Sequence, residues 1–354
     1  MSFSLLQYLF LGAVTMFFVG AITPGIRKFA IRINAIDAPI AAHKTHKVAV
    51  PYLGGLAILL GVILASYGSL LFNNAEFENY LLASYVLIPA VFISAMGLVD
   101  DLRGLEPWPR LIVQTATASI VATTLILTDT MGVAFNNTFL NVTISILWIV
   151  GVCNSINFFD NLDGGAAGTV VVVCLFIFVI AFDRGQILVG ALSIVTAGAT
   201  AGFLFWNKSP AKIYMGDAGA LFLGIIVSVL TIRINPGITP NYISLAIPLS
   251  LLAIPILDTT VAVVSRLRRG LSPFTGGRDH LSHRLIRRGM SRKLAAIALW
   301  GLSGVFGISS LLIYKFSEML GKPLLAFNTI LWIILFVIFI RIPSTDLTNK
   351  TNTD

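Results

Sequence analysis

Acidic and amide side chains gather at a few places in a chain that is otherwise apolar. Asp100 and Asp101 close an apolar run in GLVDDLRGLEPWPRL. Neighbouring carboxylates at a helix C-terminus repel each other and face the negative end of the helix dipole, so a cation must balance them. A metal, a phosphate-bound metal, or Arg103 and Arg110 would serve; a solvated loop start paired with Arg103 is the plainer reading. In NSINFFDNLDGG, Asn154, Asn157, Asp160 and Asp163 recur at intervals of three, which on a helical turn gives one rough face. Such a strip of oxygens suits a hard cation or the polar edge of a nucleotide, and an Asn/Asp-rich turn ended by Gly164-Gly165 is its bland alternative. Asp217 in WNKSPAKIYMGDAGALFLG precedes another apolar run and would make a good N-cap. That role is compatible with metal-bridged phosphate, since helix N-termini favour anions. Tyr214 is placed to stack on a base, or else to serve as an interfacial aromatic. All four histidines, His43, His46, His280 and His283, sit among Lys and Arg in AAHKTHKVAVPYLGG and GGRDHLSHRLIRRG, company that favours phosphate contact over metal ligation. Acids and amides facing many cations at one interface fit a divalent metal bound to a di- or polyphosphate.

The elements that must position these residues are membrane spans. The 354 residues are 56% hydrophobic and 11% charged, with a mean hydropathy of +0.90, whereas soluble domains carry about 25% charged residues. Runs long enough to cross a bilayer fall at 5–26, 52–72, 81–99, 111–128, 139–157, 166–182, 186–205, 218–233, 243–264, 294–314 and 324–341. The pattern predicts an all-α, polytopic membrane protein with about 10 or 11 transmembrane helices and one membrane-embedded domain, residues 1–342. The polar stretch 343–354 reads as a disordered tail. No basic n-region precedes the first apolar run, so no cleavable signal is expected. Cys153 and Cys174 lie in spans without metal-like spacing and read as packing residues. All but four of the 24 Lys and Arg (Arg184, Arg233, Lys315 and Lys322) fall in one set of loops, which places those loops and the C-terminus in the cytoplasm and the N-terminus outside. The net charge of +8 is thus one-sided, and the chemistry-bearing residues share that side.

At this point GLVDDLRGL, NFFDNLDGG, MGDAGALFLG and SPFTGGRDHLSHRL resemble, in this order, the signature blocks of the polyprenyl-phosphate N-acetylhexosamine-1-phosphate transferases, and the KTHKVAVPYLGGLA block joins them. The resemblance spans roughly residues 25 to 295. It implies a plasma-membrane enzyme that moves a sugar-1-phosphate from a UDP-sugar to a membrane polyprenyl phosphate, releases UMP and needs Mg2+, with Mn2+ as the alternative. A homodimer is the candidate assembly, and no nucleic-acid partner is expected. It further implies metal or pyrophosphate contacts for Asn157 and Asp217, and acceptor-phosphate contact or deprotonation for Asp100 and Asp101. Asp160 and Asp163 would lie near the nucleotide, which Asn207 would bind. Lys44, His46 and Lys47 would form a basic loop near the phosphates, and His280 and His283 the ends of a His-rich motif. Ser282 replaces a further His of that motif, and Arg110 stands where a Lys usually meets phosphate, keeping the charge but forking differently.

The 265–293 block, with SRLRRGLSPF and DHLSHRL, resembles the amino-sugar branch, which implies UDP-N-acetylglucosamine as donor and a lipid-linked cell-envelope glycan as the product's destination. Phospho-N-acetylmuramoyl-pentapeptide transfer is the runner-up. A transporter would place acids near the bilayer midplane, and only Asp258 in IPILDTTVAVV lies inside an apolar run. A soluble prenyl synthase fits less well, because DDLRG lacks the second acidic partner.

Overall fold

The computed structural model describes residues 3–37 and 49–344. Among them are thirteen helices and one antiparallel pair of two-residue strands. The helices are α1 (Leu5–Arg32), α2 (Gly55–Phe72), α3 (Phe77–Arg103), α4 (Pro107–Leu127), α5 (Thr138–Phe159), α6 (Gly165–Asp183), α7 (Ile187–Asn207), α8 (Gly216–Arg233), α9 (Asn241–Leu251), α10 (Ala253–Arg268), α11 (Leu281–Arg287), α12 (Arg292–Lys315) and α13 (Ser317–Arg341). The strands are β1 (Ile36–Asp37) and β2 (Val50–Pro51). Ten helices are long and apolar enough to cross a membrane, and α9 with α10 forms an eleventh, broken candidate. The chain is a multi-pass, all-α membrane protein.

The span expected at 243–264 is broken: α9 and α10 meet at a 70° bend. Pro255 explains it. Its ring lacks an N–H and collides with the carbonyl four residues back in a continuous helix, and that residue, Leu251, ends α9. The bend redirects α10 so that Asp258 and Arg266, both buried on it, stand beside α11.

At the centre is α8, whose residues are buried without interruption from Ala218 to Thr231. A helix apolar on every side needs neighbours all round, and α3, α5 and α2 supply them. The pairing of α1 with α7 depends on small residues, as in membrane helix pairs generally. A Cβ on Gly198 would lie 2.3 Å from the Gly12 carbonyl oxygen, and one on Gly202 2.2 Å from that of Met16. Outward faces carry exposed Phe10, Phe17, Phe92 and Ile112, as a lipid solvent allows.

Polar contacts collect at the two ends of this bundle. One end joins Lys315 to Asp183 at 2.8 Å, Gln186 to the Arg233 carbonyl and Arg184 to that of Asn235. The other joins the last turns of α3 and α5 to the starts of α4 and α8, and the turn after α5 to the start of α12.

Candidate functional site

Asp100 and Asp101 occupy the last turn of α3, and their two carboxylates are used differently. The Asp100 carboxylate accepts from Leu105 N–H at 2.7 Å and from Arg110, with which it makes a very close pair. The same Arg110 Nη1 reaches Asp217 at 3.2 Å. Arg110 therefore supplies the cation that the acidic pair requires, whereas Arg103 is exposed. Asp101 turns to α8, and its carboxylate accepts from the N–H groups of Asp217 at 2.9 Å and Ala218 at 3.1 Å. It thus satisfies orphan donors at the α8 N-terminus from another helix. This corrects the expectation for Asp217, which lies in the first turn of α8 behind a Met215 cap position. Its carboxylate is left for Arg110 and for Asn157, whose Nδ2 donates to it at 2.8 Å.

Two glycines permit the approach. Gly216 has φ +75°, and a Cβ there would meet the Asp101 carboxylate at 2.6 Å. A Cβ on Gly97 would lie 2.7 Å from the Asp217 carbonyl. Within MGDAG, then, Gly216 leaves room for Asp101 and Asp217 carries the charge.

The helical strip expected from Asn154 to Asp163 is also corrected. α5 ends at Phe159, so Asp160 is its C-cap and Asp163 lies beyond it. Asn154 is structural, donating to Gln114 at 2.6 Å and to the Val150 carbonyl at 2.8 Å. Asn157 joins the acidic centre, as above. Asp163 accepts from Ala211 N–H at 3.2 Å and lies 3.8 Å from Arg292. No hydrogen bond to the Asp160 carboxylate is present among the described residues; burial, then the charges of Asp101 and Asp163, push its pKa up to about 7.

Asn207 is buried, and both ends of its amide are engaged: Oδ1 accepts from Gly164 N–H at 3.0 Å and Nδ2 donates to the Ile213 carbonyl at 3.0 Å. It ties the α7–α8 turn to the start of α6. The Tyr214 backbone is pinned by Pro51 and Gly54, and burial, then the Asp163 charge, raises its phenol, which stays neutral. Lys44, His46 and Lys47, with His43, lie outside the described residues.

Facing the acids is the α10–α12 region. His280 Nδ1 lies 2.7 Å from the Asp258 carboxylate, which also accepts from Leu281 N–H at 2.7 Å. His280 Nε2 lies 3.2 Å from Arg266 Nη2. Burial first, and the neighbouring His280 next, lower His283 to about 4, so its ring is neutral. Ser282, the departure from the His-rich motif, makes a close hydrogen bond to Asn161 Oδ1.

A cavity of about 550 Å3 lies between the two halves. Asp101, Asn157, Asp160, Asp163, Asn207, Tyr214 and Asp217 line one wall, Arg266, His280, His283 and Arg292 the other, and Phe274 to Gly277 border it. Asp100 and Arg110 stand behind the Asp217 wall. Sequence reasoning left Asp258 without a role, and Arg266 and Arg292 appeared only as loop charges. The signal for Asp258 was present, as a lone acid inside an apolar run is expensive unless paired.

Among the described residues, no three His, Cys, Asp or Glu side chains stand close enough to enclose a metal. Mg2+ does not require that, since it commonly takes one or two carboxylates and completes its octahedron with water and substrate phosphate. Asp217 and Asn157, on a wall shared with Asp101 and Asp160, provide the oxygen-only donors that such a cation prefers. Burial, and after it the charges of Asp101 and Asp163, raise the proton affinity of Asp160, and a cation would relieve the charge part. The residues fit the ion.

The family model described as "Glycosyl transferase family 4" matches residues 83–235, the stretch from α3 through α8 that carries the acidic wall. The chain is 31% identical over 335 residues to the "Probable undecaprenyl-phosphate N-acetylglucosaminyl 1-phosphate transferase" of Bacillus subtilis (strain 168), covering 93% of this chain and 87% of the relative. It is 30% identical to the "Decaprenyl-phosphate N-acetylglucosaminephosphotransferase" of Mycobacterium tuberculosis (strain CDC 1551 / Oshkosh), over 83% of this chain and 80% of the relative. A "Phospho-N-acetylmuramoyl-pentapeptide-transferase" of Staphylococcus carnosus (strain TM300) is 28% identical over 65% of this chain and 76% of the relative.

Proposed function

The chain belongs to glycosyl transferase family 4, and from that premise we propose that it transfers N-acetylglucosamine-1-phosphate from UDP-N-acetylglucosamine to a polyprenyl phosphate such as undecaprenyl phosphate, releasing UMP. The observation that carries this reading is the chain Asp100–Arg110–Asp217–Asn157, drawn together from four helix ends, whose Asp217 and Asn157 line the cavity at one end of the bundle. A phosphate centre at a membrane edge suits one water-soluble and one lipid substrate. The N-acetylglucosamine donor is preferred over the muramoyl donor because the relatives named for it are matched over more of the chain. A transporter is disfavoured, since Asp258, the acid inside an apolar run, is committed to His280.

The reaction exchanges one phosphoanhydride for another. An acceptor phosphate oxygen forms a bond to the β-phosphorus of the donor while the bond to the bridging oxygen breaks, and that oxygen leaves on UMP. Such a reaction needs mainly positioning and charge neutralisation. Mg2+, held by Asp217 and Asn157, would supply charge neutralisation on the pyrophosphate. Arg292 and the neutral His283 would meet the phosphate oxygens, Arg110 would add positive charge from behind Asp217, and Tyr214 would face the base. The Asp100 carboxylate holds Arg110 and that of Asp101 holds the N–H groups at the α8 N-terminus, so their work is to set those two elements. Asp160, with no hydrogen-bonded partner among the described residues and a proton affinity near neutrality, is the carboxylate suited to take the acceptor's proton. The cavity end would face the cytoplasm, with the N-terminus outside.

Purified protein given polyprenyl phosphate should release UMP from UDP-N-acetylglucosamine, stop with EDTA and resume with Mg2+. Folded Asp217→Ala should lose about 10³-fold or more, as loss of preorganised charge stabilisation does elsewhere. Transfer from UDP-muramoyl-pentapeptide alone would reverse the donor assignment.

A further inference from the structure

The two histidines of the DHLSHRL segment have unlike surroundings. His280 is buried, at 6% exposure, and both ring nitrogens have protein partners. Asp258, at 0% exposure, spends one carboxylate oxygen on His280 Nδ1 and the other on Leu281 N–H. A carboxylate only accepts, so Nδ1 must carry the proton, and the bond at one ring nitrogen sets the state of the other. Nε2 is then an acceptor, which is what Arg266 Nη2 at 3.2 Å requires. A ring with a proton on Nε2 would turn a donor on a donor.

Each nitrogen of Arg266 is in turn engaged. Its Nε donates to Asp279 at 3.1 Å, its Nη1 to the Pro273 carbonyl at 2.7 Å, and its guanidinium lies over the Phe158 ring at 5.4 Å. Asp279 also receives Arg269 Nη2 at 2.5 Å. The Pro273 contact holds the segment whose next residues, Phe274 to Gly277, border the cavity. His283 lines the same cavity, and its Nδ1 is buried with no partner among the described residues.

We propose that Asp258 and His280 are positioning residues, a buried carboxylate–imidazole–guanidinium chain that holds Arg266 and the Pro273–Gly277 border of the cavity, while His283 is the imidazole that meets the substrate. The chain explains why a membrane helix carries a buried acid, since removing any one member strands a buried polar partner. This division of labour rests on the transferase reading, but its first test does not. With four histidines in the protein, 15N-histidine spectra of the full chain in nanodiscs are tractable. At pH 7, wild type should show His280, identified by its loss in His280→Gln, as the Nδ1–H tautomer. Asp258→Asn should lose that tautomer, because one amide oxygen replaces two acceptors. An Nε2–H ring or an imidazolium at His280 in wild type overturns the proposal whether or not the protein transfers anything.

The second test is kinetic. Gln offers an amide oxygen near the position of Nε2, so His280→Gln should lose less than about tenfold in kcat, whereas a general acid or base typically contributes about 10²–10⁴. His280→Ala should raise the donor KM by about tenfold or more with a smaller change in kcat, and His283→Gln should lower kcat by about 10²-fold. If folded His280→Gln falls in kcat as far as His283→Gln with donor KM unchanged, His280 acts chemically and the proposal fails. Wild-type protein inactive with every donor would instead reject the transferase reading, leaving the tautomer result to stand alone. Should Asp258→Asn not fold, wild type and His280→Gln still decide the matter.

Discussion

Arg110 shows how much one side chain can carry. One of its nitrogens lies between the Asp100 and Asp217 carboxylates, so two acids that would repel each other share a cation. The need for a cation was legible in the DD pair; its identity was not, because Asp217 is over a hundred residues distant and only the folded chain places it. Asp160 gives the residue scale its pH signature. The folded protein raises this acid from 3.8 to about 7, so it keeps a proton that the unfolded chain has already released, and stability falls as pH rises through that window. His283 acts in the opposite sense: lowered from 6.5 to about 4, it withholds a proton that the unfolded chain takes up, and stability falls as pH drops through its window. The two slopes oppose each other where the windows overlap. In EDTA, the melting temperature of Asp160→Asn relative to wild type should therefore increase from pH 4.5 to pH 8. A difference independent of pH would show that Asp160 titrates normally.

At the scale of elements, the spans were legible because each is an apolar run between polar punctuation, and lipid demands little more. The bend between α9 and α10 was not, because hydropathy sums over 243–264 are blind to the missing N–H of Pro255. Helix ends were likewise read short: α3 continues to Arg103 and takes Asp100 and Asp101 with it, whereas α5 stops before Asp160. These limits decide which acids are held on helices and which on turns. The contact of α3 with α8 is the joint on which the acidic wall depends. Gly97→Val would drive a side chain into the Asp217 backbone, and overpacking of this kind costs about 1–3 kcal/mol. Thermal unfolding in detergent should show that loss, with activity reduced at least tenfold. Gly151→Ala, where nothing lies within 4 Å of the added Cβ, should change neither. Equal effects of the two would show that the close approach of α3 and α8 is not needed.

The whole molecule is polarised. The end that holds the acids also receives the basic residues of the α3–α4, α7–α8 and α10–α12 connections, while the other end closes on Asp183, Arg184 and Arg233. Counting the bent α9–α10 pair once gives eleven candidate crossings, and the proposed topology, with the first span's start outside, requires such an odd number. Cysteines introduced at exposed Asn74 and Arg288 should label with an impermeant maleimide from outside and only after lysis, respectively. The reverse pattern would invert the topology. Charge asymmetry and order of motifs were legible from the sequence at this scale; the pairing of Asp258 with His280, which joins a span to the cavity, required the fold.

Where the β-phosphate goes is the most direct question. With UDP-N-acetylglucosamine labelled with 32P in the β-phosphate and a polyprenyl phosphate acceptor, label should appear in the lipid product, with unlabelled UMP released in equal amount. Label leaving in UDP would mean that the sugar alone is transferred, contradicting a reaction at the phosphoanhydride held between the Asp217 wall and His283.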